Sequence, residues 1–243
     1  MTRSKYIRFE VLRSFRNRKY LILSLGFPVV LYLAIAGSNK HAHFDGISFP
    51  LYFMTGMTAL GTMAAVIGSG AAIAAERGIG WTRQLRITPL TVRSYFTAKV
   101  IAGYLRATLT MAVMCLCGLA FGVRLSAAEW FTVIGLVLVA LIPFTVLGIF
   151  LGHVLTADSL PPAIGGIVTL FSLLGGAYAF FLAKSGALFD IMKALPSYWL
   201  VQAGKVAFGG GQWPAQGWIV VAAWSVVLFP IALLAYQRDT KRV

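Results

Sequence analysis

Six long apolar segments, separated by short polar stretches, constrain the fold of this chain more than any other feature of its sequence. A helix needs about 20 mostly apolar residues to cross a bilayer, and a bilayer offers no water to satisfy other backbone conformations. We therefore predict an all-α membrane protein with one transmembrane domain, 1–243. Residues 1–19 precede the first span, and residues 184–216 precede the last span. The six predicted spans are 20–37, 49–75, 98–121, 130–155, 161–183 and 217–236, so that 20–183 hold spans one to five and 217–243 hold span six and the tail.

The composition excludes an ordinary soluble domain. Hydrophobic residues make up 59% of the 243 residues and charged residues only 12%, whereas about 25% of a soluble domain is charged. The formal net charge of +14 admits a second interpretation, binding to nucleic acid. The basic residues, however, lie in short loops and beside the apolar segments, where anionic lipid headgroups attract them. We therefore expect the lipid bilayer, and no nucleic acid, as their partner.

The distribution of basic residues indicates the orientation of the spans. The first nineteen residues hold seven Lys or Arg side chains and one acid, Glu10. Lys and Arg beside a span stay on the cytoplasmic side. With both termini in the cytoplasm, 16 of the 21 Lys and Arg residues fall inside and five outside, which favours six spans. A cleaved secretory signal ending near Ala34-Ile35-Ala36 is the alternative, and the length and patterning of the basic segment argue against it.

The basic segment at the amino terminus has the pattern of an amphipathic helix. Ile7, Val11 and Phe15 recur every four residues, Leu12 lies beside them, and Arg8 falls elsewhere around the helix. A basic amphipathic helix is suited to lie in the plane of the lipid headgroups. We predict such an amphipathic interfacial helix, and the segment's use as a plain basic anchor is an equal alternative.

The cytoplasmic segment 76–90 follows the second span and has features of a short amphipathic helix. Residues three or four apart share a helix face, and two such pairs occur, Trp81 with Leu85 and Arg83 with Arg86. Thr88 can cap the following helix, and Pro89 can be its first residue. We predict a helix along the membrane surface that a soluble partner can contact; a solvated loop is the alternative.

The segment 184–216 holds two apolar stretches, 186–195 and 198–208, separated by Pro196. Both are too short to cross a bilayer and are typical of re-entrant or interfacial helices. The aromatic residues around them are interpreted as a belt at the outer membrane face; they are Tyr198, Trp199, Trp213 and Trp218.

No pattern of catalytic chemistry is visible. The chain lacks the Gly-x-x-x-x-Gly-Lys-Ser/Thr loop that cradles phosphates and the Gly-x-Ser-x-Gly nucleophile motif. Carboxylates, which normally mark ion pathways, are missing from the centres of the predicted spans, and this argues against an ion-coupled transporter. We therefore predict no catalytic, cofactor-binding or metal site, and no enzymatic activity of the chain itself.

Small and hydroxyl-bearing residues recur inside the spans. Gly148-x-x-x-Gly152 is the clearest pair, and small residues of this spacing let helices approach closely. Helix packing is therefore the favoured interpretation of these positions. The alternative is a path for an amphiphilic substrate, lined by Thr58, Thr62, Ser69, Thr169 and Ser172.

Four motifs carry a resemblance to a known family. They are Glu76-Arg77-Gly78, the run Leu85 to Leu90, Tyr95 with Ala98-Lys99, and Leu195-Pro196-Ser197-Tyr198-Trp199. With the six spans, the amphipathic start and the paired short helices, they resemble the ABC-2 type permeases of ABC transporters. In that family the loop after the second span is the coupling helix. The resemblance implies ATPase coupling for Glu76, Arg77, Gly78, Trp81, Arg83, Leu85, Arg86, Thr88, Pro89 and Leu90, and a second contact through the amino-terminal helix.

The resemblance also implies a function. We expect a permease subunit of an ATP-driven exporter in the bacterial plasma (inner) membrane, moving a drug, antibiotic or lipid-like amphiphile. Two separate ATPase subunits would bind ATP and Mg, and a second permease copy or paralogue would complete the transporter. An alternative from another class is a non-transporting membrane scaffold or sensor subunit that recruits a soluble partner.

Overall fold

Helices dominate the structure, a computed structural model that describes residues 3–16, 18–44, 46–81, 90–178, 185–206 and 212–241. The helices in chain order are α1 (Arg3–Arg16), α2 (Arg18–Ser38), α3 (Phe49–Ile67), α4 (Ser69–Gly78), α5 (Val92–Ala120), α6 (Ala127–Ala140), α7 (Ile142–Val154), α8 (Leu160–Leu174), α9 (Ala187–Ala194), α10 (Pro196–Lys205) and α11 (Ala215–Lys241). Between α2 and α3, the strands β1 (His43–Phe44) and β2 (Ile47–Ser48) form an antiparallel ribbon. Apart from this ribbon, the described elements confirm the all-α prediction.

Among the described residues, four helical segments are long and apolar enough to cross a membrane. They are Phe49–Gly78, Val92–Ala120, Ala127–Val154 and Ala215–Asp239, and each overlaps a predicted span. The other two predicted spans hold shorter apolar helices, Ser24–Ser38 and Leu160–Leu174. The second of these ends earlier than predicted, because the chain turns after Leu174 through Gly176, whose φ is +74°.

Two of the long segments are built from consecutive helices. Gly68 separates α3 from α4, and Leu141 separates α6 from α7. The second break is explained by Pro143, which has no N–H to continue the hydrogen bonding of α6 and is tolerated in the first turn of a new helix. Each break provides a place where the two halves of a long segment can differ in direction.

Helix α3 forms the centre of the fold. All but two of its residues are buried, as expected for a helix that is apolar all round. Helices α2, α5, α7, α8 and α10 pack against it. Tyr32 and Ala36 of α2 have no exposed surface, so the first apolar helix is an integral part of the packed core.

Helices α4 and α7 approach each other closely through glycines. A Cβ atom on Gly148 would lie 2.7 Å from the carbonyl oxygen of Ile67, and one on Gly152 would lie 2.6 Å from that of Gly70. No side chain fits at these distances. The predicted packing role of the Gly148-x-x-x-Gly152 pair is therefore confirmed, and it fixes α4 against α7.

The segment before α11 forms two short helices, α9 and α10, with Pro196 in the first turn of α10. The belt interpretation of its aromatic residues is wrong for Tyr198, Trp199 and Trp213, which are buried. The Trp199 Nε1 atom donates a hydrogen bond of 2.7 Å to the Lys193 carbonyl oxygen. Only Trp218, among these four residues, is exposed as a belt residue would be.

Candidate functional site

The carboxyl end of α4 concentrates the charged chemistry of the described structure. Glu76 and Arg77 are neighbours on the last turn of α4. Consecutive residues of an α-helix point about 100° apart, so the two side chains face different neighbours. Each of them makes charged contacts with other helices.

Glu76 faces α1 and α5 and has no exposed surface. Its Oε1 atom accepts a hydrogen bond of 2.6 Å from Lys99 Nζ and another from the Arg13 guanidinium. Its Oε2 atom accepts a hydrogen bond of 2.9 Å from the Tyr95 hydroxyl. Both carboxylate oxygens therefore have charged or polar partners, which offsets much of the cost of removing the charge from water.

A second carboxylate completes this cluster. Lys99, which is also fully buried, donates to Glu10 Oε1 over 2.7 Å. Glu10, Glu76 and Lys99, which are buried, thus form with the partly exposed Arg13 a cluster of two carboxylates and two cations, here called the Glu76 cluster. Its formal charges sum to zero, so no single charge is left without a counterion in a low-dielectric setting.

Tyr6 of α1 lies beside the Glu76 cluster, and its ring centroid is 6.4 Å from that of Tyr95. Burial raises the pKa of the Tyr6 phenol, and the Glu76 and Glu10 carboxylates raise this pKa further. The phenol is therefore neutral across the physiological range. Together with Ile73 and Ala98, the two tyrosines form a small apolar core under α1.

Arg77 faces the other way, toward α7 and α11. Its Nε atom lies 2.8 Å from Asp239 Oδ2, and its Nη1 atom donates to the carbonyl oxygens of Gly152 and Leu155 over 2.9 and 3.2 Å. A cation is favourable there because the last carbonyls of a helix lack partners within the helix. His153 Nδ1 lies 3.0 Å from the same Asp239 oxygen.

The end of α4 is consequently tied to four other helices by two adjacent residues. Glu76 connects it to α1 and α5, and Arg77 connects it to α7 and α11. A displacement of this end would strain charged contacts to all four. The arrangement can therefore transmit a force applied at the segment 79–90 to both terminal helices of the described chain.

A cavity of about 320 Å³ adjoins the Glu76 cluster between α1, α4 and α5. Its lining combines charged side chains with a wall of alanines, and the polar members are Glu10, Arg13, Ser14, Ser69, Lys99 and Arg106. The cavity shares Glu10, Arg13 and Lys99 with the Glu76 cluster. The cavity therefore belongs to the same site.

The residues assigned to ATPase coupling are divided between the interior and the surface. Glu76 is buried, and Arg77 is partly exposed. Gly78 is exposed, Trp81 is half-buried, and Leu90 packs on the small core under α1. Arg83, Leu85, Arg86, Thr88 and Pro89 lie outside the described residues.

The start of α5 differs from the sequence-based prediction. The helix begins at Val92, and Thr91 is its cap: the Thr91 hydroxyl oxygen accepts a hydrogen bond of 3.3 Å from the Ser94 backbone N–H. The prediction that this helix begins at Pro89 is wrong by three residues. Thr91 offers the same capping chemistry as Thr88, and the sequence alone did not discriminate between them.

The amino-terminal helix α1 exists over the predicted range, but its inward stripe differs from the predicted one. Ile7, Val11 and Phe15 are half-buried, whereas Leu12 and Arg8 are exposed. The side chains that α1 directs into the protein are Tyr6, Glu10 and Arg13. The stripe that anchors α1 is therefore polar, with the predicted apolar stripe beside it.

The residues of the suggested substrate path do not share one surface. The Thr58, Thr62 and Ser69 hydroxyls are buried and donate to carbonyl oxygens of their own helical segment. Ser172 is buried, and Thr169 is exposed on the same helix. Hydroxyls bonded back to their own helix satisfy themselves without a ligand, so a path lined by these five residues stays a prediction.

The sequence did not indicate which residues of other helices contact Glu76 and Arg77. Lys99 was named only as part of a family motif, and the roles of Glu10, Arg13, His153 and Asp239 were not anticipated. The available signals were Glu10, the one acid in the basic segment, and Lys99, a cation inside an apolar run. Such charges normally have partners when buried.

Comparison with known proteins supports the family. The sequence profile of the ABC-2 type transporter family matches residues 6–208. The chain belongs to the ABC-2 type transporter family. This ABC-2 chain is also 25% identical, over 206 residues, to YvfS of Bacillus subtilis (strain 168), to which the role of a transport permease is ascribed. The alignment covers 84% of the chain and 81% of YvfS.

Membership assigns the coarse properties of the protein. It is a multi-pass membrane protein and a transporter permease, and its family implies association with an ABC ATPase subunit. The Glu76 cluster and the Arg77 contacts lie within or beside the matched range, except for Asp239 on α11.

Proposed function

We propose that this chain is the permease subunit of an ATP-driven exporter for hydrophobic or amphiphilic molecules such as drugs, antibiotics or lipids. The observation that carries the proposal is the tethering of the end of α4 to α1, α5, α7 and α11 through Glu76 and Arg77. A permease driven by a separate motor needs such a point, where a push from outside the bilayer reaches several spans together.

The proposed complex contains two permease copies, or this chain and a paralogue, above two ATPase subunits that hold ATP and Mg. The membrane is the bacterial plasma (inner) membrane, both termini are cytoplasmic, and the two shorter apolar helices bring the number of spans to six. The basic amino terminus supports this orientation. In it, the segment 76–90 and α1 face the ATPase.

ATP-driven closure of the motor would press on the segment after α4. Because Glu76 and Arg77 tie α4 to both terminal helices, the movement would tilt spans on both sides of α3. The helix breaks at Gly68 and Leu141 are places where such tilting would need little free energy. The nucleotide-bound ATPase then favours one of two arrangements of the permease, because it binds that arrangement more tightly than the other.

Vesicles that contain the chain and its copurifying ATPase test the proposal. The readout is the amount of a fluorescent amphiphilic dye moved per ATP hydrolysed. We expect Arg77→Gln to retain ATPase binding and hydrolysis but to move about tenfold less dye per ATP, the effect of about 1.4 kcal/mol in coupling. Arg238→Gln, an equal charge change on the exposed surface of α11, is the matched control and should behave as the unaltered protein.

Two outcomes would contradict the proposal. Undiminished dye movement per ATP by Arg77→Gln would show that force does not pass through this contact. Stable ATPase binding with no dye movement by the unaltered protein would favour a non-transporting scaffold or sensor subunit. The double substitution Arg83→Glu with Arg86→Glu tests the segment outside the described residues, and we expect it to uncouple hydrolysis from transport.

Orientation is tested separately. Gly78 is exposed, and nothing lies within 4 Å of a Cβ atom placed on it, so Gly78→Cys adds an accessible thiol without a clash. With Cys115 and Cys117 replaced by serine, we expect an impermeant thiol reagent to label inverted membrane vesicles and not intact cells. Labelling in intact cells would place the end of α4 outside and remove any access of a cytoplasmic motor to it.

A further inference from the structure

An apolar groove of about 780 Å³ opens between α5, α7 and α11, on the face of α5 turned away from the Glu76 cluster. Nine of its fourteen lining residues are Val, Ile, Leu, Ala or Phe, and Arg93 is the one formally charged residue among them. Along α5 the lining extends from Val92 to Tyr104. At a rise of about 1.5 Å per residue this is about 18 Å, close to the roughly 15 Å of one leaflet's hydrocarbon.

Three of the polar side chains along the groove, those of Thr97, Tyr104 and Thr145, are hydrogen-bonded within the protein. The Tyr104 hydroxyl donates to the Leu138 carbonyl oxygen over 3.1 Å, and the Thr145 hydroxyl donates to the Leu141 carbonyl oxygen over 3.0 Å. The Thr97 hydroxyl donates to the Arg93 carbonyl oxygen over 2.7 Å. The wall beyond Arg93 is therefore apolar to a ligand.

Arg93 stands at the end of the groove where α5 begins, one residue after Val92, the first residue of the helix. Its side chain is exposed, and within the described part of the chain its guanidinium makes no ion pair or hydrogen bond. The carboxylate of neighbouring α11, Asp239, is already taken by Arg77 and His153. The Arg93 charge is therefore available to a ligand.

The aromatic rings of Phe96 and Tyr236 form part of the groove wall near Arg93. Their centroids lie 5.1 Å apart in an edge-to-face arrangement. His153 packs on both, at 5.8 and 5.4 Å. His153 in turn lies 3.0 Å from Asp239, so the rings adjoin the Arg77–Asp239 pair. A ligand bound in the groove would meet one cation at the membrane surface and only apolar walls beneath it.

We propose that this groove is a binding site for an anionic phospholipid of the leaflet on the side of the chain termini. One acyl chain lies along the apolar wall of α5, α7 and α11, and the lipid phosphate lies against the Arg93 guanidinium. A charged head above an apolar tail of one leaflet's length matches the distribution of charge and apolar surface in the groove. Basic pockets between transmembrane helices bind anionic headgroups in this way.

Native mass spectrometry of the purified full chain tests the site. The protein is titrated with dioleoyl phosphatidylglycerol and, in a second arm, with dioleoyl phosphatidylcholine, which has the same tails and no net charge. We expect the anionic lipid to bind more tightly. Arg93→Gln should weaken the binding of phosphatidylglycerol by about tenfold or more, the size of a hydrogen bond to a charged group, and should abolish the preference between the lipids.

Three further variants separate head recognition from tail recognition. Val100 lies in the wall of the groove, and Val100→Trp should fill the groove and weaken both lipids alike. Arg238→Gln removes an equal charge from the same end of the molecule but outside the groove, and it should change neither. Arg93→Lys retains the charge and should keep most of the preference.

Several results would overturn the proposal. They are an unchanged phosphatidylglycerol affinity in Arg93→Gln, an equal loss in Arg238→Gln, or unchanged binding of both lipids in Val100→Trp. If Arg93→Gln does not fold, phosphatidylglycerol with a photoreactive group in its tail provides a separate measurement on the unaltered protein. Labelled peptides from α5, α7 or α11 would support the site, and labelling confined to other helices would overturn it.

Discussion

At the end of the molecule where α4 ends and α5 begins, basic side chains form ion pairs with carboxylates. At the opposite end, two lysine side chains lie over aromatic rings. Glu76 and Asp239 each bind two cationic or ionisable partners from other helices. At the other end, Lys193 lies 4.1 Å from the Phe189 ring centroid and Lys205 lies 4.0 Å from that of Tyr52. The same residue types are thus held by different chemistry at the two ends.

The difference indicates which end is suited to movement. A carboxylate with two cationic partners can exchange one for the other while staying neutralised. Edge-to-face rings occur at both ends, for example Phe96 with Tyr236 and Tyr198 with Trp199. Lys193 and Lys205, however, contact ring faces, and this attraction depends on one position of the cation over the ring. The end with the carboxylates also holds Glu76 and Arg77, which are proposed to couple the permease to the ATPase. The opposite end is built to hold its shape.

The largest expected effect contrasts a lysine from each end. Lys99→Met leaves the Glu10 and Glu76 carboxylates buried with one cation fewer, and breaking a buried pair costs about 3–5 kcal/mol. Lys193→Met, the same substitution at the opposite end, loses only a cation–π contact of about 0.5–1 kcal/mol. Unfolding of both variants in detergent, followed by circular dichroism, measures the difference. Equal losses would contradict the distinction between the two ends.

A smaller effect is expected from the contact that holds α7 against the junction of α3 and α4. Gly148→Ala places a Cβ against the Ile67 carbonyl and should destabilise the protein by about 1–3 kcal/mol, as overpacking does. Gly135→Ala is the matched control, because nothing lies within 4 Å of its Cβ position. The same unfolding measurement applies, and a Gly148→Ala variant as stable as Gly135→Ala would show that α7 can separate freely from this junction.

At the aromatic end we expect a loss of about 1 kcal/mol from Trp199→Phe, because the Lys193 carbonyl oxygen loses its donor. Trp218→Phe, at an exposed position, serves as its control and should leave the free energy of unfolding nearly unchanged. Thermal unfolding of the pair checks the prediction. A larger loss in Trp218→Phe than in Trp199→Phe would reverse the assignment of these tryptophans to surface and core.

The smallest effect concerns Arg77 and Asp239, which are both partly exposed. A double-mutant cycle of Arg77→Gln and Asp239→Asn should give a coupling of about 0.5–1 kcal/mol, because solvent screens the pair. Transport per ATP should nevertheless fall in each single variant. Additive stability effects together with full transport would remove Arg77 from the coupling route and leave Glu76 alone to carry it.

Much of the fold was predictable because it depends on local pattern. The apolar runs located four long helices, and Pro196 marked the boundary between α9 and α10. Local pattern was less informative where burial competes with it. Trp199 and Trp213 are residues typical of a membrane belt, and yet both are buried where they pack against Gly217 of α11, since an aromatic side chain is suited to either setting.

The candidate site was predictable only in part. The sequence located the end of α4 and named Glu76 and Arg77, but it assigned them to a contact surface, whereas Glu76 is buried. The inward stripe of α1 was missed because Tyr6, Glu10 and Arg13 are not apolar, and the search for an amphipathic helix follows the apolar side chains. A polar stripe is recognisable only when its partners are known.

The sequence by itself determined the solvent of this protein, the positions of its long helices and the end at which basic residues gather, because hydropathy and charge are properties of neighbouring residues. Only the tertiary structure decided which charges meet. Lys99 and Glu10 are 89 positions apart, and His153 and Asp239 are 86 apart. In an apolar interior a charge is stable only beside its counterion, so these distant residues are brought together by the packing of the helices that carry them.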